Sequence, residues 1–247
     1  MNLTVINSNS SGNAYILESK SGEALLIECG VSFARIKKAL HFNLRKVVAC
    51  IVTHEHKDHC VAAAELMNAG VDVWASAGTH AAMGTDLNHR ARVTFAGNTI
   101  VAGNFQIKAF DVKHDAAEPI GYLIYHPECG TVLFLTDSYY SEYYFGGLNN
   151  VIVEANYCQS ILDSRVKEGE SPKFLRDRVF TSHMSLATCK ALLKANDLSQ
   201  VNNIVLIHLS NDNSDSKRFQ REVQEATGRR VHVAEPGLCI EFNKTPY

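Results

Sequence analysis

Apolar positions along this chain gather into short runs of strand length, and the runs fall into two groups. The first holds Leu3–Ile6, Tyr15–Glu18, Leu25–Glu28, Val47–Val52 and Asp72–Ala75. The second holds Gln106–Phe110, Tyr122–Tyr125, Val132–Leu135, Val151–Glu154, Asn203–Ile207 and Arg230–Val233. Such runs, bounded by turn residues, predict strands. Helical spacing interleaves with them at Phe33–Leu40, Cys60–Asn68, Leu186–Asn196 and Ser216–Thr227. Ser185 reads as the N-cap of the third helix and Gly228 as the stop of the fourth. Closely spaced strands come first and helices later, twice over. That order predicts an α/β (α+β) chain built as a four-layer αββα sandwich, two mixed sheets face to face with helices outside. No repeat, low-complexity tract or linker divides the sequence, so one domain over residues 1–247 is expected.

One stretch breaks the pattern. Asp163–Arg178 is polar, carries Arg165, Lys167, Lys173, Arg176 and Arg178, and is interrupted by Gly169 and Pro172. It reads either as a solvated connector or as a loop that presents positive charge to a substrate.

Composition narrows the class. With 46% hydrophobic and 20% charged residues, this is an ordinary globular composition for 247 residues. A net charge of −2 excludes a generally basic nucleic-acid binder but leaves room for a local basic patch. Seven cysteines without a CxxC pair argue against a disulfide framework or a zinc knuckle. The start, Met1-Asn2-Leu3-Thr4, lacks the basic and apolar regions of a signal peptide, and no run approaches a membrane span, so a cytoplasmic location is expected.

Thr53-His54-Glu55-His56-Lys57-Asp58-His59 changes the picture most. Three imidazoles and Asp58 stand within a few residues, directly after an apolar strand. Imidazole and carboxylate are the usual ligands of zinc and other catalytic first-row metals. His54, His56 and Asp58 alternate and His59 breaks the alternation, so a loop here can aim two pairs of donors at two neighbouring metals. Three further donors follow strand-like runs: His114, Asp137 and His208.

These residues resemble a known family. Thr53–His59 matches the HxHxDH signature of metallo-β-lactamase-fold hydrolases, with His114, Asp137 and His208 matching the later ligand motifs in order. The nearer likeness is to the WalJ/YycJ-like exonuclease branch. It is carried by Asn9–Asn13, His114–Tyr122, Glu154-Ala155-Asn156, Ser182–Ser185 and His208–Asn213, and it covers essentially the whole chain. The resemblance implies two divalent metal ions, zinc or manganese. His54, His56 and His114 would hold one and Asp58, His59 and His208 the other, with Asp137 bridging. Two cations about 3.5–4 Å apart can generate a hydroxide and clamp an in-line displacement at phosphorus. Asp58 and His183 are the candidate catalytic residues, His183 by its likeness to the extra histidine that phosphodiesterase members hold near the scissile phosphate. Glu28 stands where the family usually has Asp and is expected to fix a metal-binding histidine through its far nitrogen. Ser11, Asn13, Arg176 and Arg178 are the candidate substrate-binding residues. Lys217, Arg218 and Arg221 add a second basic cluster.

The sequence departs from the branch at Tyr139, where glycine is common, and at Tyr157 and Cys158, where His and Asp are common. None of these removes a ligand. The expected function is a metal-dependent phosphodiesterase, a 5′-to-3′ DNA exonuclease with nucleic acid as its partner. The alternatives are a cyclic nucleotide or other small-phosphodiester hydrolase, a thioester or lactam hydrolase, and a non-catalytic binding module on the same scaffold.

Overall fold

A computed structural model describes residues 1–169 and 173–245. The first sheet contains β1 (Asn2–Asn9), β2 (Gly12–Glu18), β3 (Ala24–Ile27), β4 (Val47–Ile51), β5 (Val73–Ala75) and β6 (Ala91–Val93). The second contains β7 (Thr99–Ala102), β8 (Phe105–Asp111), β9 (Ile120–His126), β10 (Gly130–Leu135), β11 (Leu148–Glu154), β12 (Asn203–Ile207) and β13 (Arg230–Val233). The last strand, β14 (Cys239–Glu241), returns to pair with β1, giving the orders β14-β1-β2-β3-β4-β5-β6 and β13-β12-β11-β10-β9-β8-β7. Each sheet is antiparallel where it begins with hairpins and parallel farther along, with a helix in each parallel connection except β10 to β11. β3, β4, β5 and β6 run parallel, as do β10, β11, β12 and β13.

The helices are α1 (Phe33–Ala39), α2 (Lys57–Cys60), α3 (Ala63–Asn68), α4 (Ala77–Met83), α5 (Gln159–Lys167), α6 (Lys173–Ser182), α7 (Leu186–Ala195) and α8 (Ser216–Thr227). Three apolar clusters match the three interfaces of the expected αββα layering. Tyr15, Leu17, Leu25, Phe105, Tyr122 and Phe134 are fully buried between the sheets. Ile36, Leu66 and Met67 seal α1 and α3 onto the first sheet, and Leu193, Phe219 and Val223 seal α7 and α8 onto the second. Burying one such side chain contributes about 1.5–3 kcal/mol, so the strand runs that carry them decide the fold.

The caps read from sequence are present: Ser185 Oγ accepts from the Thr188 N–H, and Gly228 ends α8 in the left-handed region. Other expectations need correction. The helix expected at Cys60–Asn68 is split, with α2 beginning at Lys57 inside the histidine cluster. Asp163–Arg178 is not a loop: α5 and most of α6 occupy it, with Gly169 at a φ of 77° after α5. Pro172 lies outside the described residues. The only buried residue of α5 is Leu162, so it carries no apolar stripe from which a helix can be read. The short strands β6, β7 and β14 escape for the same reason, since each is largely solvent-facing. Among the described residues no helix is long and apolar enough to cross a membrane, and all seven cysteines are free thiols.

Candidate metal centre

The parallel strands of both sheets end at one edge, where open α/β sheets place their ligands. Glu28 directly follows β3, and His54 lies three residues beyond β4. His114 lies three beyond β8, Asp137 two beyond β10 and His208 directly after β12, while Glu154 is the last residue of β11. Glu28, Asp137 and His208 sit at φ of 60°, 46° and 53°, a region that costs a non-glycine residue energy. That strain turns each side chain inward at the end of its strand. Bonds between the sheets hold it there. The His208 N–H donates to Ser8 Oγ of β1 at 3.0 Å, and the buried Tyr122 hydroxyl of β9 donates to the Val52 carbonyl at 2.8 Å.

Three ring nitrogens converge first. His54 Nε2 and His114 Nε2 each lie 3.1 Å from His56 Nδ1. The surroundings assign the tautomers. His114 Nδ1 is 2.9 Å from the Ser182 carbonyl, which only accepts, so the proton sits on Nδ1. Thr53 Oγ1 donates to Glu28 Oε1 at 2.6 Å and therefore accepts from His54 Nδ1–H at 2.9 Å. Burial, reinforced by the charge at His59, lowers His54 to about 3, and burial also lowers His114. Two neutral imidazoles thus aim lone pairs at one point, an arrangement a divalent cation fits and a buried void does not.

The second group is Asp58, His59 and His208 around Asp137. Asp137 Oδ2 is 2.8 Å from His59 Nε2 and 3.3 Å from His54 Nε2, so one carboxylate oxygen touches both groups. Its Oδ1 is 2.7 Å from His208 Nδ1. Asp58 Oδ2 meets His59 Nε2 at 3.2 Å and His208 Nε2 at 3.3 Å. Burial alone would lower His59 and His208, but the Asp137 carboxylate pulls both well above the ordinary imidazole value. Burial would raise Asp137, yet His208 and His59 hold it far below the carboxylate range. These shifts favour protonated rings between the carboxylates, and a cation bound in this group would have to displace those protons.

The structure therefore brings together all seven sequence-selected donors, and Glu28 with them. Glu28 Oε1 lies 3.5 Å from His59 Nδ1, a charge contact too poorly aligned for a hydrogen bond, since that nitrogen has no hydrogen-bond partner. Its stronger contact is Thr53, through which it orients His54. Asn13 is buried, with its amide 3.4 Å from Asp58 Oδ2 and 3.3 Å from His59 Nε2, a placement that orients those donors. Ser11 is exposed and bonds to Asn9 within the turn. Gly12, at a φ of 149°, packs on Gly30, where a Cβ at Gly12 would come within 2.2 Å of the Gly30 carbonyl oxygen. A Cβ at Gly30 would in turn lie 1.7 Å from the Asp58 carbonyl oxygen. The two glycines let the Asp58–His59 turn sit this close.

Glu154 is the residue that sequence reasoning missed. Fully buried, its carboxylate lies 2.8 Å from His183 Nδ1 and 3.1 Å from His208 Nδ1, and it accepts from the Met184 N–H at 3.0 Å. His183 also stands 3.3 Å from Asp137 Oδ1. Burial would lower His183, but Glu154 and Asp137 raise it to about 9. The only signal in the sequence was the Glu154-Ala155-Asn156 motif, whose Asn156 amide donates to the His208 carbonyl at 2.8 Å.

The basic candidates divide. Arg178 reaches Asp115, the neighbour of His114, at 3.5 Å and is exposed. Arg176 is bound to Asp177 and Asp163 and stacked on Phe180. Arg218 pairs with Glu222 along α8.

Comparison with known proteins follows the same lines. A profile described as the Metallo-beta-lactamase superfamily matches residues 8–138, more than half of the chain. The exodeoxyribonuclease WalJ of Streptococcus pneumoniae serotype 2 (strain D39 / NCTC 7466) is 29% identical over 226 residues, covering 85% of this chain and 82% of that protein. The exodeoxyribonuclease YycJ of Bacillus anthracis is 26% identical over 238 residues, covering 91% and 88%. Among solved structures, the metallo-beta-lactamase fold protein YhfI of Bacillus subtilis superposes with a TM-score of 0.71 at 19% identity, over 97% of this chain and 99% of that one.

Proposed function

Because the chain belongs to the metallo-beta-lactamase superfamily and is a metal-dependent hydrolase, we propose that it is a two-metal phosphodiesterase that degrades DNA from a 5′ end. One observation carries this reading: Asp137, a member of the Asp58–His59–His208 group, also touches His54 of the other group, and His183 stands against the same carboxylate, held by Glu154. The exodeoxyribonuclease names of the relatives support DNA as the polymer.

His54, His56 and His114 would hold one cation, and Asp58, His59 and His208 the other, with Asp137 between them. Zinc or manganese bound there supplies Lewis acidity and makes a water nucleophilic at neutral pH. The protein does the rest. Thr53, Glu28, Ser182 and Asn13 fix the donor rings and carboxylates, so little reorganisation accompanies the reaction. Asp58, the more exposed carboxylate of the centre, orients the attacking water. His183 has Nδ1 committed to Glu154, so its Nε2 edge meets the phosphodiester and delivers a proton to the leaving oxygen.

The test is a panel of single-stranded and linear duplex DNA, RNA and cyclic nucleotides, run with manganese and zinc in turn. Processive release of nucleotides from the 5′ end of DNA is expected. Turnover confined to cyclic nucleotides would replace DNA with a small substrate. Near-zero metal content after purification, with no rescue by either cation, would sink the two-metal reading altogether. His183→Ala is expected to lower kcat by roughly 10²–10⁴-fold with metal content unchanged.

A further inference from the structure

The segment directly after Asp137 reads Ser138-Tyr139-Tyr140-Ser141-Glu142-Tyr143-Tyr144-Phe145. Tyr139, Tyr140, Tyr143 and Tyr144 are 41%, 49%, 42% and 80% exposed. Large rings clustered in water mark a surface that meets something. This one is firmly mounted. The Tyr139 N–H donates to the Lys113 carbonyl at 3.2 Å, and Ser138 Oγ accepts from the Lys113 N–H and donates to the Tyr140 carbonyl. Lower down, Tyr143 packs edge-on against Phe110 at 5.7 Å, and the Phe145 N–H donates to Asn196 Oδ1 at 2.6 Å.

Tyr140, Tyr143 and Tyr144 face α7 across a groove of about 230 Å³ floored by Ala191, Leu192 and Ala195. Both walls lead back to the metal centre. The tyrosine wall starts at Asp137, and α7 starts two residues beyond His183 at its Ser185 cap. Lys113, next to His114, lays its ammonium over the Tyr140 ring at 5.5 Å and is paired there with Glu142, whose side chain also lines the groove. The groove therefore combines a row of exposed rings with two walls that each begin beside a donor of the metal centre.

We propose that this groove is a stacking subsite for unpaired bases of single-stranded DNA, an inference that rests on the phosphodiesterase reading above. Every base has a π-face, so tyrosines take a strand of any sequence. Tyrosine suits the task better than an aliphatic wall, because its hydroxyl stays hydrated when the groove is empty. Duplex DNA keeps its bases stacked inward and cannot use the groove. The subsite thus predicts a preference for single strands or frayed ends.

The test compares Tyr140→Leu and Tyr144→Leu with the ring-preserving Tyr140→Phe and Tyr144→Phe. KM is measured on a single-stranded oligonucleotide, on the same oligonucleotide with abasic tetrahydrofuran residues, and on methyl p-nitrophenyl phosphate, which is too small to reach the groove. Each leucine variant is expected to raise KM for the normal oligonucleotide by roughly tenfold. The phenylalanine variants should restore it, and the small ester should be turned over as in the wild type. The wild type should lose a similar factor on the abasic strand. Cleavage of DNA that ignores both the rings and the bases overturns the subsite alone. A wild type that hydrolyses the small ester but neither binds nor cleaves any oligonucleotide overturns the DNA reading and the subsite together.

Discussion

The floor of the metal centre and the rim around it are built on opposite terms. On the floor, Glu28, His54, His59, Asp137, Glu154 and His208 are nearly inaccessible to water, and every ring nitrogen and carboxylate but His59 Nδ1 has a hydrogen-bond or ion-pair partner at normal geometry. Three of them hold strained backbone angles that the sheets enforce. On the rim, α5 and Tyr139–Tyr144 bury little, and α5 meets α6 through the solvent-facing pair Asp163–Arg176. The floor fixes a reaction, which tolerates almost no displacement. The rim fixes a substrate, which can change without rebuilding the fold.

That contrast predicts the largest effect at the carboxylate both groups share. Asp137→Asn keeps the volume and removes the charge that draws His59 and His208 inward. Turnover of bis-p-nitrophenyl phosphate should fall by on the order of 10³-fold. Metal content should fall with it, while the far-ultraviolet dichroism stays that of the wild type. An asparagine variant with wild-type turnover would remove Asp137 from the centre.

A step outward, Thr53→Val should act on affinity more than on chemistry. The valine leaves Glu28 without its 2.6 Å donor and His54 Nδ1 without its acceptor. Competition with a chromogenic chelator should give zinc binding weakened roughly 10–100-fold, with kcat recovering at saturating zinc. Unchanged affinity would show that packing alone holds His54.

The same contrast decides what could be read from sequence. His54, Asp137 and His208 are legible because each is a metal-donor residue stranded at the end of an apolar run. Glu154 ends such a run too, Val151–Glu154, but an acid at a strand end looks unexceptional until His183 and His208 are placed upon it. The need for Gly30 is invisible without the Asp58 backbone that it touches. On the rim, α5 lacks an apolar stripe, and an arrangement of solvated charges is equally compatible with a loop. Sequence patterning reports burial, so it describes the floor well and the rim poorly.

Gly30→Ala probes the boundary between the two. A Cβ would press on the Asp58 backbone, which must move, costing about 1–3 kcal/mol in overpacking. Because the turn carries Asp58 and His59, the displacement should weaken the second cation and leave the His54–His56–His114 group loaded. Metal analysis after dialysis should then approach one equivalent per chain in place of two. Loss of both metals together would show that the floor yields as a unit.

The smallest effects belong to the rim arginines, and they should differ. Arg178 is exposed and meets Asp115 at 3.5 Å, a loose pair that water competes for and a phosphate can replace. Arg176 is occupied by two carboxylates and a ring, so releasing it to DNA would break three contacts. Arg178→Ala should therefore raise KM for DNA by about two- to fivefold and flatten its dependence on salt, since one phosphate contact is lost. Arg176→Ala should leave KM and its salt dependence close to wild type and instead lower the melting temperature slightly, through the α5–α6 contact it ties down. The reverse ranking would place the path of the strand on the Asp163 side of α6, away from His114, and would require the substrate to cross the centre from the opposite edge.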